Sequence, residues 1–324
     1  MSAFGFSSTA DEVLEGKDLS GRTMLVTGGY SGLGKETARA LAAKGAHVIL
    51  SGRDATKLSA AADELATGTG GKVDTLVCDL ASLASIRAAG EEARGRFAHI
   101  DVLINNAGVM AAPFGKTADG FETQFGTNHL GHFLLTKELM PLLERGSRQR
   151  IVNLSSRGHH IAPVDFDDPN FRSRPYDPWL AYGQSKTANI LFTVGLEQRF
   201  GGEGIHAFAV HPGGIHTNLG RHMSEEDMAA LVERIRKNAE RTGEQPQPFK
   251  TIPQGAATTC WAATADELNG RGGLYAEDCH IAEVDDTRST GGVRSYALDR
   301  GKADRLWSLS EELVGARFAR WIDD

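Results

Sequence analysis

The chain has 324 residues, 40% of them hydrophobic and 24% charged, with a net charge of -7. That content suffices for a large buried core in one sizeable domain or two smaller ones, and the scattered, mildly acidic charge gives no reason to expect nucleic acid or an anionic membrane surface as a partner. Its three cysteines, Cys78, Cys260 and Cys279, form no C-x-x-C pair, so no disulfide framework is expected and a reducing cytoplasm is the expected location.

The first residues, MSAFGFSSTADEVLEGKDLSG, have neither a basic n-region nor an apolar h-region, which argues against a secretion signal. No apolar run approaches the length needed to span a bilayer, so the chain reads as soluble. From residue 23 onward, short apolar runs alternate with helical patterns: TMLVTGG, the helix LGKETARALAAKG, AHVILSGRD, a helix from Ala55, VDTLVCDL, a helix from Leu83, and HIDVLINNAG. After a long helix through Thr136 come RQRIVNLSS at 148–156, IHAFAVHPGG at 205–214 and GGLYAEDC at 272–279. This alternation predicts an α/β fold, a doubly wound parallel sheet of about seven strands with helices on both faces.

Two segments break the rhythm. Residues 157–181, rich in Pro and Asp, have no clear period and read as a surface excursion. Residues 224–240 read as a helix capped by Ser224, followed by the Pro-rich EQPQPFKTIP. Both follow strands, on the side where open α/β sheets bind ligands.

TGGYSGLGKE, residues 27–36, lies between a predicted strand and a predicted helix. Gly28, Gly32 and Gly34, with Tyr30, Ser31 and Leu33 between them, suit a backbone that turns tightly against a pyrophosphate, whose charge meets the first amides of the helix. The same stretch fits G-x-x-x-x-G-K of a P-loop, but position 36 is Glu where that loop needs a hydroxyl for Mg²⁺. A plain connecting turn is the bland alternative. At the end of the second strand an NAD site usually carries an acidic residue, whereas the turn here carries Arg53, whose guanidinium can grip a 2′-phosphate. NADP(H) is therefore favoured over NAD(H), against the alternative of a solvated arginine beside Asp54.

In AYGQSK, Tyr182 and Lys186 are four residues apart, and on a helix they share a face. A neighbouring ammonium favours the phenolate, so Lys186 is expected to lower the pKa of Tyr182 and make it a general acid or base near neutrality.

The order TGGYSGLG, CDL (78–80), NNAG (105–108), TNHLGHF (127–133), IVNLSS (151–156), YGQSK and HPGGIHT (211–217) resembles the short-chain dehydrogenase/reductases over about residues 18–280. SGRD, the long stretch between the Ser and Tyr motifs, and YGQSKTANILF resemble the retinol dehydrogenase and WW-domain oxidoreductase-like branch. The resemblance implies a Rossmann-fold catalytic domain at 21–290, between an N-terminal extension (1–20) and a C-terminal helical tail (291–324). It implies Tyr182 as proton donor or acceptor, and Lys186 as the residue that lowers its pKa and binds the nicotinamide ribose. Ser156 is implied as the hydrogen-bond partner of the substrate oxygen, and Asn128 as the holder of a water linking Lys186 to solvent. It further implies cofactor contacts at Asp79 and Leu80, at Asn106, Ala107 and Gly108, and at Pro212, Gly213 and Thr217. Membrane-bound retinol enzymes of that branch often begin with an apolar anchor, which the polar N-terminus does not match.

Hydride chemistry of this kind belongs to a cofactor and needs no metal. The histidine pairs 129/132, 159/160 and 211/216 come without an H-E-x-x-H or C-x-x-C pattern, and no G-x-S-x-G elbow is present. His129 and His132 are expected to pack or cap.

Phe166, Phe171, Tyr176 and Trp179, with Met223, Met228 and Leu231, suit either an apolar lid over a lipophilic or aromatic carbonyl or alcohol, or anchors for two surface excursions. The tail, with Trp307, Leu309, Leu313 and Trp321, reads as one or two amphipathic helices, docked on the parent domain or used in a homo-oligomer contact. The expected function is an NADP(H)-dependent alcohol dehydrogenase or carbonyl reductase acting on a small molecule. The rival from another class is a non-catalytic NADP(H)-binding redox-sensing regulator.

Overall fold

The computed structural model describes residues 3–216, 219, 229, 232–233, 236–237, 240, 243–244 and 247–318. The N-terminal stretch carries α1 (Ala10–Val13), closed by a reciprocal capping box between Thr9 and Glu12. It packs Val13 and Leu14 into the same apolar cluster as Ala256 and Trp261 of α8 (Ile252–Thr264).

Eight strands form one sheet: β1 (Thr23–Thr27), β2 (His47–Gly52), β3 (Val73–Val77), β4 (Val102–Asn105), β5 (Arg150–Leu154), β6 (His206–His211), β7 (Leu274–Glu277) and β8 (His280–Ile281). Their order is β3-β2-β1-β4-β5-β6-β7-β8. The first seven pair in parallel, in registers such as Leu25 opposite Ile49 and Ile104 opposite Val152. The two-residue β8 turns back antiparallel on β7, an addition the sequence pattern does not announce. Every residue of β1, β4 and β5 is buried, as central parallel strands covered on both faces must be.

One face of the sheet is covered by α2 (Gly32–Ala42), α3 (Ala55–Thr69), α8 and α1, and the other by α4 (Leu83–Arg96), α6 (Gly131–Leu143), α7 (Pro178–Phe200) and α9 (Arg300–Val314). Local chemistry sets the helix ends. Asp54 accepts from the Lys57 amide at the start of α3, and Gly70 ends it in the left-handed region at φ +68°. Asp177 accepts from the amides of Trp179 and Leu180, and Pro178 occupies the first turn of α7. That cap starts the helix inside the Pro- and Asp-rich stretch expected to be irregular through 181.

The tail belongs to the second face. A short turn at Ser295–Ala297 leads into α9, whose Trp307 lies among Phe133, Phe192, Phe200 and Phe318 at centroid distances of 4.6–6.2 Å. Burying each such ring contributes about 1.5–3 kcal/mol. Ser224, Met223, Met228, Leu231 and Trp321 lie outside the described residues. Among the described residues no helix is long and apolar enough to cross a membrane.

Candidate active site

The motif-bearing turns gather at one edge because the first seven strands run parallel: each ends there, and the strand order reverses between β1 and β4, where open sheets of this kind leave a crevice. The turn after β1 is fixed by the Gly28 amide donating to the Ser51 carbonyl at 2.7 Å. Gly28 and Gly32 have φ of +65° and +54°, a region that side chains disfavour. At Gly34 a Cβ would fall 2.4 Å from the Gly28 carbonyl oxygen and 2.5 Å from Asn106 Nδ2, so only glycine lets α2 start this close to the turn. Ser31 precedes α2 without a side-chain cap bond, which leaves the helix N-terminus to its backbone amides. Tyr30 packs on Gly52 and Leu33 on Gly255, so both hold the turn from outside. Lys35 pairs with Glu64 at 2.6 Å and Glu36 with Arg39 at 2.8 Å; neither has the orientation that a P-loop lysine and its following hydroxyl require.

Arg53 is exposed in the turn after β2. Asp54 is committed to Lys57, by the cap and by a 3.2 Å ion pair, and Arg53 has no ion-pair partner among the described residues. The Asp79 carboxylate accepts from the Ala81 amide at 3.0 Å, and Leu80 is buried with its carbonyl against Gly131. Past β4, the amides of Asn106 and Ala107 both donate to Thr27 Oγ1 at 2.9 Å, and Asn106 Nδ2 donates to the Thr27 carbonyl at 2.8 Å. Gly213, next to Pro212, has φ +100° and rests on the aliphatic chain of Lys250. Thr217 lies outside the described residues.

Deeper in the crevice, Tyr182 and Lys186 occupy one face of α7, with the ammonium 5.7 Å from the ring centroid. Both are almost wholly buried, at 3% and 4% exposure. Lys186 Nζ donates to the Leu154 carbonyl at 2.9 Å. Desolvation brings the ammonium down to about 8 and pushes the phenol up to about 12, while the facing Ser156 hydroxyl acts to lower the latter. The expected depression of the Tyr182 pKa is therefore not found: burial of the phenol outweighs its neighbours, and the same burial disfavours the positive charge that was to lower it. Ser156 is extended at φ -166° and its Oγ accepts from the Gly158 amide at 2.9 Å.

Asn128 sits in a five-residue π-helical turn, Gly126–Leu130, where α6 is joined to the short helix α5 (Thr123–Phe125). Its Oδ1 accepts from the Val109 amide at 2.8 Å, and its Nδ2 donates to the Val109 carbonyl and to Ser185 Oγ, each at 2.9 Å. Both amide hydrogens are thus committed, and Asn128 braces the Gly108 segment against α7. A Cβ on Gly108 would lie 3.1 Å from Asn128 Oδ1 and 3.7 Å from Lys186 Nζ. Asn128, Ser156, Tyr182 and Lys186 are brought together; Arg53 and Asp79 stand at the far end of the crevice, after β2 and β3.

The histidines are absorbed locally. His129 bonds Ser310 at 2.8 Å and His132 bonds the Asn128 carbonyl and Thr27, each at 2.9 Å. His159 takes the Ser156 carbonyl and the Arg294 amide, and His160 the Gly292 carbonyl. Among the described residues no group of three or more His, Cys, Asp or Glu side chains could hold a metal ion. Thr27 and His132 are site residues that motif reading misses, since nothing in the spacing of residues 105 apart in sequence reveals contact.

Of the four aromatics expected either in an apolar lid or as anchors of the excursion, Trp179 stands edge-on to Tyr182 at 6.3 Å. Phe171 is buried against Tyr176, whose hydroxyl donates to the Ala112 carbonyl, and Phe166 packs under Arg305. Those three anchor the excursion.

The chain matches the short chain dehydrogenase family over residues 22–228. It is 43% identical over 304 residues to a protein of Streptomyces lividans named as a probable oxidoreductase, covering 92% of this chain and 99% of that one. It is 40% identical over 302 residues to retinol dehydrogenase 12 of Homo sapiens, covering 93% and 88% of the two chains. A solved uncharacterised protein from Mycobacterium paratuberculosis superposes with a TM-score of 0.73 at 36% identity, over 97% of this chain and 100% of that one. With the glycine turn, the NNAG segment and the Tyr182–Lys186 face assembled at one sheet edge, the chain belongs to the short-chain dehydrogenase/reductases, a family of oxidoreductases that use nicotinamide cofactors, and stands among its retinol dehydrogenase-like members.

Proposed function

We propose that this protein is an NADP(H)-dependent oxidoreductase that interconverts a lipophilic or aromatic alcohol with its ketone or aldehyde. The observation that carries the reading is the convergence of Ser156, Tyr182, Lys186 and Asn128 beside Gly108, in a buried site at the carboxyl ends of the strands. The residues present fit a dinucleotide. The turn at Gly28 and Gly32 delivers an α2 N-terminus that Ser31 leaves without a side-chain cap, and the Asn106–Gly108 segment is held by Thr27. The Arg53 guanidinium, without an ion-pair partner among the described residues, suits a 2′-phosphate better than a bare ribose. The bound nicotinamide supplies or takes the hydride.

The chain's own residues manage the oxygen. Ser156 and Tyr182 donate hydrogen bonds to the substrate oxygen and polarise the C–O bond. Held up near 12, the phenol stays protonated at neutral pH, so in the reducing direction Tyr182 gives its proton to the oxygen that becomes the alcohol. Lys186, held by Leu154, faces the Tyr182 ring and would hold the ribose hydroxyls of a bound cofactor. Asn128 keeps α7 and the Gly108 segment in register. Trp179 gives the mouth an apolar wall, which supports a lipophilic or aromatic substrate.

The test is NADPH consumption with a panel of aliphatic and aromatic aldehydes and ketones, in the wild type, Tyr182→Phe and Trp179→Ala. Turnover in the wild type, its loss in Tyr182→Phe and an altered aromatic preference in Trp179→Ala are expected. Cofactor binding without turnover of any carbonyl points instead to a redox-sensing regulator.

A further inference from the structure

His132 is 1% exposed and has the two-ended bonding of a neutral imidazole. Its Nδ1 is 2.9 Å from the Asn128 carbonyl, which has no hydrogen to give, so Nδ1 carries the proton and donates. Nε2 is then a bare acceptor and receives the Thr27 hydroxyl at 2.9 Å, a closer partner than the Ile104 carbonyl at 3.4 Å. With its hydrogen turned to His132, Thr27 Oγ1 has its lone pairs free for the amides of Asn106 and Ala107, both at 2.9 Å.

These contacts close on themselves. From His132 the path runs to the Asn128 carbonyl, through the Asn128 side chain to the amide and carbonyl of Val109, back along the chain to Ala107 and Asn106, to Thr27, and to His132 again. Gly108 lies on this ring, at the point that faces Lys186. We propose that His132 is a positioning residue of the site: it ties the π-helical turn carrying Asn128 to the Asn106–Val109 segment and so fixes the wall beside Lys186. The consequence for catalysis rests on the function proposed above; the ring itself does not.

Histidine suits the position because its donor and acceptor sit on opposite sides of one rigid ring, whereas a carboxamide carries both on one carbon. An imidazolium there would present two donors, forcing the Thr27 hydroxyl to turn away and placing a second charge near Lys186. Burial prevents this, holding His132 down at about 4.

The test uses the full chain and the variants His132→Leu, which removes both bonds, His132→Asn, which keeps a donor near the Nδ1 position, and Thr27→Val, which removes the hydroxyl at nearly constant shape. Hydrogen–deuterium exchange is followed in unliganded protein for peptides covering 104–110, with peptides from α3 as the reference, and NADPH affinity is measured alongside. Exchange at 104–110 is expected to speed up about tenfold or more relative to α3 in His132→Leu, which loses two buried bonds, and in Thr27→Val, which loses three. His132→Asn should recover part of it, and NADPH affinity should fall in the same order. Exchange that rises equally in both regions, or stays unchanged at 104–110 in Thr27→Val, overturns the proposal. A wild type that binds no nicotinamide cofactor sinks the proposed function, while the exchange comparison still decides the ring.

Discussion

Lys186 and Tyr182 share one face of α7, yet the ammonium bonds the Leu154 carbonyl at 2.9 Å and meets the phenol through its ring, 5.7 Å away. The pair is a desolvated arrangement rather than a direct ion–hydroxyl contact, and its properties follow from burial.

The first consequence concerns stability. A lysine brought from near 10.5 to about 8 carries a charge-burial cost of about 3 kcal/mol at neutral pH. Between those two values the unfolded chain binds a proton that the folded chain does not, so this group makes stability rise with pH across that window. Lys186→Met loses one hydrogen bond, about 1 kcal/mol, and removes the larger cost. Its melting temperature at neutral pH should equal or exceed that of the wild type, with the difference shrinking toward the upper end of the window, while carbonyl turnover is lost. A variant clearly less stable at neutral pH, with a gap independent of pH, would contradict this account.

The second concerns Gly158. A Cβ there would fall 2.7 Å from Tyr182 Cε1 and 3.3 Å from Ser156 Oγ, and a buried ring cannot swing aside as a flexible chain end can. Gly158→Ala should overpack the site at a cost of about 1–3 kcal/mol. By displacing the phenol it should lower turnover by up to about 10²-fold, leaving NADPH affinity nearly unchanged. Steady-state kinetics beside a binding titration separate these effects; equal losses in both would mean that the cofactor crevice had collapsed instead.

The third concerns the tail. Trp307 is buried among four phenylalanines and under the Arg199 guanidinium. Trp307→Ala should destabilise the chain by about 3–5 kcal/mol, read from urea unfolding. A loss below about 1 kcal/mol would show that α9 is not needed to complete the core.

The parallel strands are legible in sequence because the central ones, β1, β4 and β5, are buried on both faces and read as mainly apolar runs. The glycine turn and the Tyr182–Lys186 spacing are legible because they are local. Less is visible wherever the determinant is tertiary. The start of α7 at Pro178 depends on Asp177 capping two amides inside a stretch whose composition suggests a loop. The two-residue β8 has too little pattern to detect. The direction of the Tyr182 shift depends on burial that spacing does not encode, and the His132–Thr27 bond joins motifs far apart in the chain.

The most direct test of the account is a fluorescence-quenching titration with NADPH and with NADH, on the wild type, Arg53→Ala and Tyr182→Phe. NADPH should bind more tightly than NADH, and Arg53→Ala should weaken NADPH by about tenfold or more, as expected for losing a charge-assisted bond to phosphate, with little change for NADH. Tyr182→Phe should leave both affinities intact. Equal affinity for the two cofactors, unmoved by Arg53→Ala, would contradict the NADP(H) assignment, and binding of neither would contradict the dehydrogenase reading as a whole.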